Sequence, residues 1–510
     1  MPITNIRIIL IVMILSLVLA SRTSIREQVL LNAYRKIQDL AFAAPSEQDV
    51  FEGALDGMTT KLRTKYGDAY SAYENYKDHE KIRESLENQL VGLGVSLIPL
   101  GKSQGVQLFP LPNSPALEAG IKYGDLLLEI DGDDITGLAV SDISKKLVGE
   151  PDSQVTLLVR HFDSEEEAEI TVTRGRMQLP SVTGDRLNRD GTWNYTLETN
   201  PDIGYIAIDR TFSDLTAVET AGALDELKKA NVKGLIIDLR GNPGGYLNAA
   251  VGVCSLFLNE GTIVTTKQRR ISDTISANGS AAWDKPVVVL IDSMSASASE
   301  IVAACLQDHN IAVVVGSRSY GKGTVQEMIK LPLDLGTLRL TKAEYLRPSQ
   351  KNINRQGSAP ESDEWGVMPN EGYQLDLSDQ QALVTYRIRN LRSIIPGEEA
   401  GRQIDRLVQR VKEGKMNTAD HSQLLLDDGS LAAELPVNIE ETFDDETPEN
   451  NESDNLSQEQ SASKTSNKTD TEKNANVRDD AKPFVLEGTP PYYDPQLDRA
   501  IEYFESLGKL

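Results

Sequence analysis

The sequence predicts an α/β protein with a smaller strand-rich domain and a helical N-terminal region. Residues 23–90 carry mostly helical patterns, residues 91–176 hold short strands with two helices, and from residue 177 strands and helices alternate. Alternation of this kind is typical of a parallel sheet covered by helices. In such sheets the functional groups lie in loops at the carboxyl ends of the strands.

The strand-rich domain has a recognisable order of elements. The predicted strands are 91–98, 105–109, 126–130, 155–162 and 168–173, and the predicted helices are 114–119 and 141–148. This order resembles a PDZ domain, and Gly92, Leu93, Gly94 and Val95 stand where that family has its carboxylate-binding loop. Backbone N–H groups in a glycine-containing turn can bind a terminal carboxylate, and the peptide then adds as a strand to the sheet edge. A plain β-turn is the alternative interpretation of these four residues.

The α/β core is predicted to span residues 177–375. Its predicted strands are 203–208, 235–239, 287–291 and 311–315, and its predicted helices are 217–230, 247–258 and the one after the serine turn. Three loops follow these strands: the glycine-rich loop 240–245, the turn 295–300 and the loop that contains Lys322. We expect all three loops at one edge of the sheet.

The C-terminal part of the chain is predicted to be helical, then disordered, then helical again. Residues 376–436 form a helical region, with helices at 379–392 and 398–412. Residues 437–488 are rich in acidic and small polar residues and predict a disordered linker. Residues 489–510 contain an amphipathic helix, which we expect to dock on the folded body.

Composition and charge restrict the class of protein. The chain has 510 residues, and its formal net charge of −25 argues against nucleic acid as a partner. Cys254 and Cys305 fall in predicted helices of one domain and are interpreted as small buried side chains. No cysteine and histidine cluster has zinc spacing, and the sequence implies no metal and no other cofactor.

The N-terminus carries a candidate export signal. Arg7 precedes the almost wholly apolar run 8–19, which is short for a membrane span but suits the core of a signal peptide. Val18 and Ala20 stand where a cleavage site favours small residues. An uncleaved anchor over residues 1–22, associated with the membrane, is the alternative. Both interpretations predict export of the remaining chain to the periplasm or cell envelope.

A serine of the turn 295–300 is the candidate nucleophile and Lys322 the candidate base. This turn lies where a buried strand leads into a helix, beside N–H groups that can stabilise an oxyanion. A serine hydroxyl needs a positioned base. Burial disfavours the charged form of a lysine, which suits Lys322 between its two glycines. Gln326 can hold the lysine amine without adding a charge. The chain has four histidines, and none of them is well placed as the base. They are His79, His161, His309 and His421.

Other interpretations of these residues are weaker. No Gly-x-Ser-x-Gly motif occurs, which argues against a Ser-His-Asp hydrolase. Ser319 and Lys322 match the Ser-x-x-Lys of penicillin-binding enzymes, but the flanking glycines argue against the helix that this motif opens. Ser295 and Ser299 compete with Ser297 as nucleophile. Ser299 is expected to cap the helix or pack inside it, and Glu300 to interact with the helix dipole.

Three blocks together resemble the carboxy-terminal processing (tail-specific) serine peptidases: residues 238–245, 295–300 and 321–326. The resemblance covers residues 45–375 and implies a ClpP/crotonase-like α/β catalytic core with an inserted PDZ domain. It implies Ser297 as nucleophile, Lys322 as general base and Gln326 as its assistant. It also implies oxyanion donors at the backbone N–H groups of Gly245 and Ala298.

Two positions qualify the resemblance. Ala69 stands where the family usually has a proline, which leaves the rigidity of loop 67–73 open. Asp308 matches an acidic position of the family and is interpreted as structural, because it lies at the far end of the serine helix.

The sequence therefore predicts an exported serine endopeptidase that cuts protein substrates near their C-termini. The PDZ domain would bind the substrate C-terminus, and kinship implies that this domain also gates the active site. One alternative is a non-catalytic PDZ scaffold or adaptor on a protease-like fold, which the intact Ser297, Lys322 and Gln326 argue against. Another is a small-ligand binder of related fold.

Overall fold

The computed structural model describes residues 24–101, 105–162, 164, 166–277, 279, 281–355, 364–413 and 486–508. The predicted signal or anchor segment, residues 1–22, lies outside the described residues, and so does the predicted acidic linker up to residue 485. Across the described ranges, no helix is both long enough and apolar enough to cross a membrane.

The elements agree closely with the predicted ones in the core. The helices are α1 (Ile25–Leu40), α2 (Glu47–Tyr66), α3 (Tyr76–Leu86), α4 (Pro115–Glu118), α5 (Val140–Leu147), α6 (Thr216–Lys229), α7 (Leu247–Ser255), α8 (Ala298–Asp308), α9 (Asp379–Ile394), α10 (Glu398–Lys412) and α11 (Pro495–Ser506). The first twelve strands are β1 (Ala72–Glu74), β2 (Gln89–Gly92), β3 (Val95–Gly101), β4 (Gly105–Pro110), β5 (Asp125–Ile130), β6 (Asp133–Asp134), β7 (Gln154–Arg160), β8 (Glu167–Thr173), β9 (Gly175–Gln178), β10 (Val182–Thr183), β11 (Arg186–Leu187) and β12 (Trp193–Asn194). The remaining strands are β13 (Ile203–Ile208), β14 (Gly234–Asp238), β15 (Thr262–Gln268), β16 (Ser272–Ser276), β17 (Val287–Ile291), β18 (Ala312–Gly316), β19 (Thr324–Lys330) and β20 (Thr337–Leu346).

The described residues form two compact units. The first consists of residues 24–81, 267–271 and 324–344. In it, β20 pairs antiparallel with both β1 and β19. The loop with Ala69 in place of a proline is closed by Asp68, whose carboxylate accepts hydrogen bonds from the Tyr70 and Ser71 N–H groups. Thr341 on β20 donates to the same carboxylate at 2.7 Å, which ties this loop to the strand.

The second unit begins with the strand-rich domain. Its sheet has the order β3-β4-β5-β7-β8, with β3 at one edge. The single strand predicted at 91–98 is wrong, because β2 ends at Gly92 and β3 begins at Val95. Gly94 separates them with a φ of 69°, and a Cβ there would lie 2.5 Å from the Ser114 Cβ. Only glycine fits this left-handed, crowded position.

The α/β core of the second unit contains the predicted parallel sheet. Strands β13, β14, β17 and β18 pair in parallel, and β10 adds antiparallel at one edge. A Cβ on Gly204 would meet Leu227 of α6, and a Cβ on Gly234 would meet Phe504 of α11. These helices therefore lie close against the sheet, and the predicted α/β class is confirmed.

Candidate active site

The serine turn joins β17 to α8 through a strained residue. Ser297 is the N-cap of α8 and has a φ of 53°, which is uncommon for a residue with a side chain. Its backbone N–H donates to Glu300 Oε2 at 2.8 Å. Strain of this kind persists only where surrounding bonds hold it, and it is frequent at functional sites.

The neighbouring serines have other roles. Ser295 and Ser299 are both fully buried, whereas Ser297 keeps 8% exposure. Ser295 Oγ donates to the Leu239 carbonyl at 2.9 Å, and Ser299 Oγ donates to the Asn242 carbonyl at 3.0 Å. Both hydroxyls therefore hold the glycine-rich loop against the serine turn.

Glu300 connects the serine turn with the Lys322 loop. Its Oε2 accepts from the N–H groups of Ser297 and Lys322, each at 2.8 Å. Its Oε1 accepts from the Gly321 N–H at 2.7 Å and from Ser319 Oγ at 2.5 Å. The backbone nitrogens of Ser297 and Lys322 thus lie within two hydrogen-bond lengths of each other.

The role of Glu300 goes beyond the predicted interaction with the helix dipole. The side chain is fully buried, and this burial raises the pKa of Glu300 to about 7, although its four donors favour the ionised form. The sequence signal for this role was a single charged residue in the otherwise uncharged first two turns of α8. Three of the four donors come from a loop about twenty residues away, which the sequence pattern did not connect with this carboxylate.

The Lys322 loop needs its two glycines for close packing. A Cβ on Gly321 would lie 2.8 Å from the Trp365 ring, and one on Gly323 would lie 2.2 Å from the Asn354 nitrogen. Gly321 also has a φ of 86°. Lys322 itself is half-buried. The Gly-Lys-Gly sequence therefore belongs to a closely packed loop and not to an open surface turn.

Tyr345 is a residue of the site that the sequence did not indicate. Its N–H donates to the Gly323 carbonyl at 2.7 Å, and its phenol lies beside Ser297. Burial raises the pKa of Tyr345 to about 12, and the nearby Ser297 acts on this pKa in the opposite direction. The phenol therefore stays protonated beside the candidate nucleophile.

Gly244 and Gly245 lie directly against the serine turn. A Cβ on Gly244 would be 2.6 Å from the Ser297 Cβ, and one on Gly245 would be 2.4 Å from the Phe212 carbonyl oxygen. Both glycines have positive φ, 105° and 144°. Within the described residues, neither the Gly245 N–H nor the Ala298 N–H donates to a protein acceptor. Unused backbone N–H groups beside a nucleophile are the kind of donor that a tetrahedral oxyanion requires.

The other predicted residues have local partners. Gln326 lies on β19 in the first unit, where its Nε2 donates to Thr324 Oγ1 at 2.8 Å. Asp308 accepts from Arg347 at 2.6 and 3.0 Å. Burial acts to raise the pKa of Asp308, but these hydrogen bonds bring it below its ordinary value. Cys254 and Cys305 are buried free thiols.

The predicted carboxylate-binding loop borders an apolar groove. The groove lies between the edge strand β3 and α5, where an added peptide strand would find unpaired backbone groups. Ser144 supplies its polar side chain. The remaining lining residues are Leu90, Val91, Gly92, Leu93, Gly94, Val95, Leu97, Leu147 and Val148.

Comparisons with known proteins find family matches for both the α/β core and the strand-rich domain. The family model described as peptidase family S41 matches residues 202–363, and a PDZ domain model matches residues 110–161. A carboxy-terminal-processing protease of Bartonella bacilliformis is 31% identical over 68% of this chain and 77% of its own. A carboxyl-terminal-processing protease of a Picosynechococcus species is 32% identical over 62% and 75% of the two chains.

Among solved structures, the photosystem II D1 C-terminal processing protease is similar. It is 26% identical, with a TM-score of 0.39 over 69% of this chain and 94% of its own. The identity and coverage of the sequence relatives carry the assignment. On this basis, the chain belongs to peptidase family S41, with the carboxy-terminal-processing proteases as its relatives, and it contains a PDZ domain.

Proposed function

We propose that this protein is an exported serine endopeptidase that cleaves protein substrates near their C-termini with a Ser297/Lys322 dyad. The observation that supports the dyad most is the Glu300 carboxylate, which accepts from the backbone N–H groups of both residues at 2.8 Å. A nucleophile and its base must lie within hydrogen-bond reach. A shared buried carboxylate keeps the two backbone nitrogens within two hydrogen-bond lengths of each other, which supports an approach of the two side chains.

In the proposed first step, Ser297 Oγ attacks the carbonyl carbon of the scissile peptide bond. The neutral Lys322 amine accepts the hydroxyl proton as the bond forms. Negative charge develops on the carbonyl oxygen, and the N–H groups of Gly245 and Ala298 donate to it. Gln326 assists by holding the lysine amine without adding a charge that would keep it protonated.

In the second step, the tetrahedral adduct collapses and the C–N bond breaks. The Lys322 ammonium gives its proton to the leaving amine, so that the first product departs and an acyl-enzyme remains on Ser297. Lys322 then takes a proton from the attacking water and gives it to Ser297 Oγ as the ester C–O bond breaks, which releases the second product and regenerates the serine and the neutral amine. These steps need no metal or other cofactor.

The groove beside β3 is the proposed site for the substrate C-terminus. The N–H groups of the Gly92–Val95 turn would bind the terminal carboxylate, and the apolar lining would take the last side chain. We propose that the apolar N-terminal segment directs the chain to the periplasm or cell envelope.

Proteolysis by the purified chain tests the dyad. Residues 23–510 are incubated with an unfolded tagged protein, beside the variants Ser297→Ala, Lys322→Ala and the exposed control Lys342→Ala. We expect both dyad variants to lose turnover by about 10⁴-fold or more, and Lys342→Ala to keep it. Equal proteolysis by all four proteins would contradict the dyad. Peptide binding without turnover in any of them would favour a PDZ adaptor.

A matched pair of peptides tests recognition of the C-terminus. The two peptides share one sequence and differ only in a free or an amidated terminal carboxylate. We expect faster cleavage of the free acid, with new C-termini located by mass spectrometry. Equal rates for the two peptides would contradict binding of the carboxylate by the PDZ domain.

A further inference from the structure

The C-terminal segment, defined as residues 486–508, packs on one face of the parallel sheet through its helix α11. Leu497 and Phe504 of α11 belong to one buried cluster with Ile236 of β14 and Leu290 of β17. A Cβ on Gly234 would lie 2.4 Å from the Phe504 ring, so β14 leaves room for this aromatic side chain at that position. The segment is therefore an integral layer of the core.

This segment also holds Arg240, the third residue of the block 238–245. Arg240 Nη1 donates to Asp494 Oδ1 at 2.9 Å and to Gln496 Oε1 at 3.0 Å, and Nη2 donates to Asp494 Oδ2 at 2.8 Å. Asp238 accepts the other two guanidinium hydrogens at 3.0 and 2.6 Å. A guanidinium has five N–H donors, and all five are used here. The C-terminal segment accepts three of them.

The cluster is buried and balanced in charge. Asp238, Arg240 and Asp494 are each no more than 3% exposed. Arg389 of α9 donates to both oxygens of Asp238 at 3.2 Å, so two guanidinium groups face two carboxylates. Removing one member of such a cluster leaves an uncompensated buried charge.

The backbone around Arg240 is bonded directly to the serine turn. The Leu239 carbonyl accepts from Ser295 Oγ, and the Gly241 N–H donates to Asp292 at 2.9 Å. The Asn242 carbonyl accepts from the Ala296 N–H at 2.9 Å. The glycine-rich loop is therefore held on two sides: the C-terminal segment binds its Arg240 side chain, and the serine turn binds its backbone.

We propose that Asp494, together with Gln496, is a positioning residue for the active site: by holding Arg240 it fixes the loop that presents the Gly245 N–H to the oxyanion. This inference rests on the proposed function. The bonds run from Asp494 to Arg240 and through the backbone to Gly245, five residues further on. A shift of about 1 Å in such a donor is enough to lower turnover by about 10²-fold.

The matched variants are Asp494→Asn and Glu502→Gln. Each removes one negative charge from the same C-terminal segment, but Glu502 is exposed and pairs only with Arg499 among the described residues. Asparagine is also a good N-cap, so Asp494→Asn preserves the start of α11, where Asp494 accepts from the Leu497 N–H. Gln496→Leu is a milder third variant, which removes one acceptor of Arg240 and no charge.

Two measurements are made on the full-length chain at a temperature where all variants are folded. For Asp494→Asn we expect kcat to fall by about tenfold to a hundredfold with KM nearly unchanged, and for Gln496→Leu a smaller fall. For Glu502→Gln we expect wild-type kcat. Hydrogen exchange of the 241–246 amides is expected to be faster in Asp494→Asn than in Glu502→Gln.

The inference is overturned if Asp494→Asn keeps wild-type kcat and wild-type exchange in this loop, or if Glu502→Gln has the same defect. An unchanged kcat with a lower melting temperature also overturns it, because the segment would then only stabilise the fold. If the wild-type chain has no peptidase activity, the proposed function fails. The exchange difference between the two variants still decides whether Asp494 fixes the loop.

Discussion

Glu300 and Asp238 are both carboxylates buried to 1% exposure or less, in the same α/β core. Glu300 receives four hydrogen bonds from backbone N–H groups and one serine hydroxyl, all uncharged. Asp238 is bonded to the guanidinium groups of Arg240 and Arg389. Burial therefore raises the pKa of Glu300 to about 7, whereas for Asp238 the two arginines outweigh burial and lower the pKa.

The difference lies in the charge of the donors, since both carboxylates are equally buried. Uncharged donors offset only part of the desolvation cost of Glu300, so that its ionisation falls near neutral pH. Paired guanidinium groups keep Asp238 ionised. The same chemical group therefore has two roles. The Glu300 carboxylate links the Ser297 and Lys322 backbones in a pH-dependent way, whereas the Asp238 carboxylate stays ionised and pairs with Arg240 at the start of the glycine-rich loop.

The largest expected effect comes from removing the charge of Asp238. Asp238→Asn leaves two buried guanidinium groups facing one carboxylate, and we expect the free energy of unfolding to fall by about 3–5 kcal/mol. Urea unfolding measures this change. The control Asp202→Asn breaks an exposed pair with Lys233, and we expect a change of at most about 1 kcal/mol. Equal losses would contradict the contrast between the buried and exposed pairs.

The two carboxylates should give opposite dependences of stability on pH. The pKa of Glu300 is raised from 4.5 to about 7 in the folded state, so its contribution is complete below the unfolded pKa and is lost as pH rises through about 7. That loss is roughly 3 kcal/mol at 1.36 kcal/mol per pKa unit. The lowered pKa of Asp238 stabilises the folded state at pH values above the unfolded pKa of 3.8. This stabilisation is lost as the pH falls from 3.8 through the lower pKa of the folded state.

Urea unfolding at several pH values tests these opposite slopes. Glu300→Gln should remove the loss of stability between the unfolded pKa of 4.5 and about 7 and leave the acid limb unchanged. A Glu300→Gln variant that retains the wild-type slope in this window would contradict the assignment of that slope to Glu300.

Glu300→Gln should also separate the serine turn from the Lys322 loop. Whichever oxygen becomes the amide nitrogen, two donors lose their acceptor, and we expect a destabilisation of about 1–3 kcal/mol. With the nitrogen in place of Oε2, the Ser297 and Lys322 backbones lose their common acceptor; with the nitrogen in place of Oε1, the Lys322 loop loses the acceptor of Ser319 and Gly321. In either case the link between the two segments is weakened, and we expect a fall in kcat of about 10²-fold. Wild-type kcat in a folded Glu300→Gln variant would contradict the role of this carboxylate.

The smallest expected effect comes from Ser319→Ala. This change removes one of the four donors to Glu300 and the acceptor of the Val367 N–H. We expect a loss of about 1 kcal/mol in the free energy of unfolding and a smaller loss of kcat than in Glu300→Gln. A Ser319→Ala variant as inactive as Glu300→Gln would indicate that the backbone donors contribute little.

The parts of the fold with strong local patterns could be predicted from the sequence. The predicted helix 398–412 agrees with α10 at both ends, and the predicted strands 203–208 and 287–291 agree with β13 and β17. Apolar runs and cap residues determine these elements locally. Strands such as β16, which is mostly exposed and has no apolar run, were not predicted.

The candidate site was predicted where a motif is continuous in the sequence. Ser297, Lys322 and the two glycines Gly244 and Gly245 of the glycine-rich loop belong to such blocks. Tyr345 and Asp494 do not, because their partners lie 48 and 254 residues away and only the tertiary fold brings them together. The number of donors around a buried acid such as Glu300 likewise depends on tertiary contacts that no local pattern specifies.

Covalent labelling of the nucleophile tests the central claim most directly. A serine-reactive fluorophosphonate is added to the wild-type chain and to Lys322→Ala and Glu300→Gln, and the labelled peptide is identified by mass spectrometry. We expect labelling at Ser297 in the wild type, none in Lys322→Ala and slow labelling in Glu300→Gln. Labelling of Lys322→Ala at the wild-type rate, or labelling of a different serine, would contradict a Ser297/Lys322 dyad held together by Glu300.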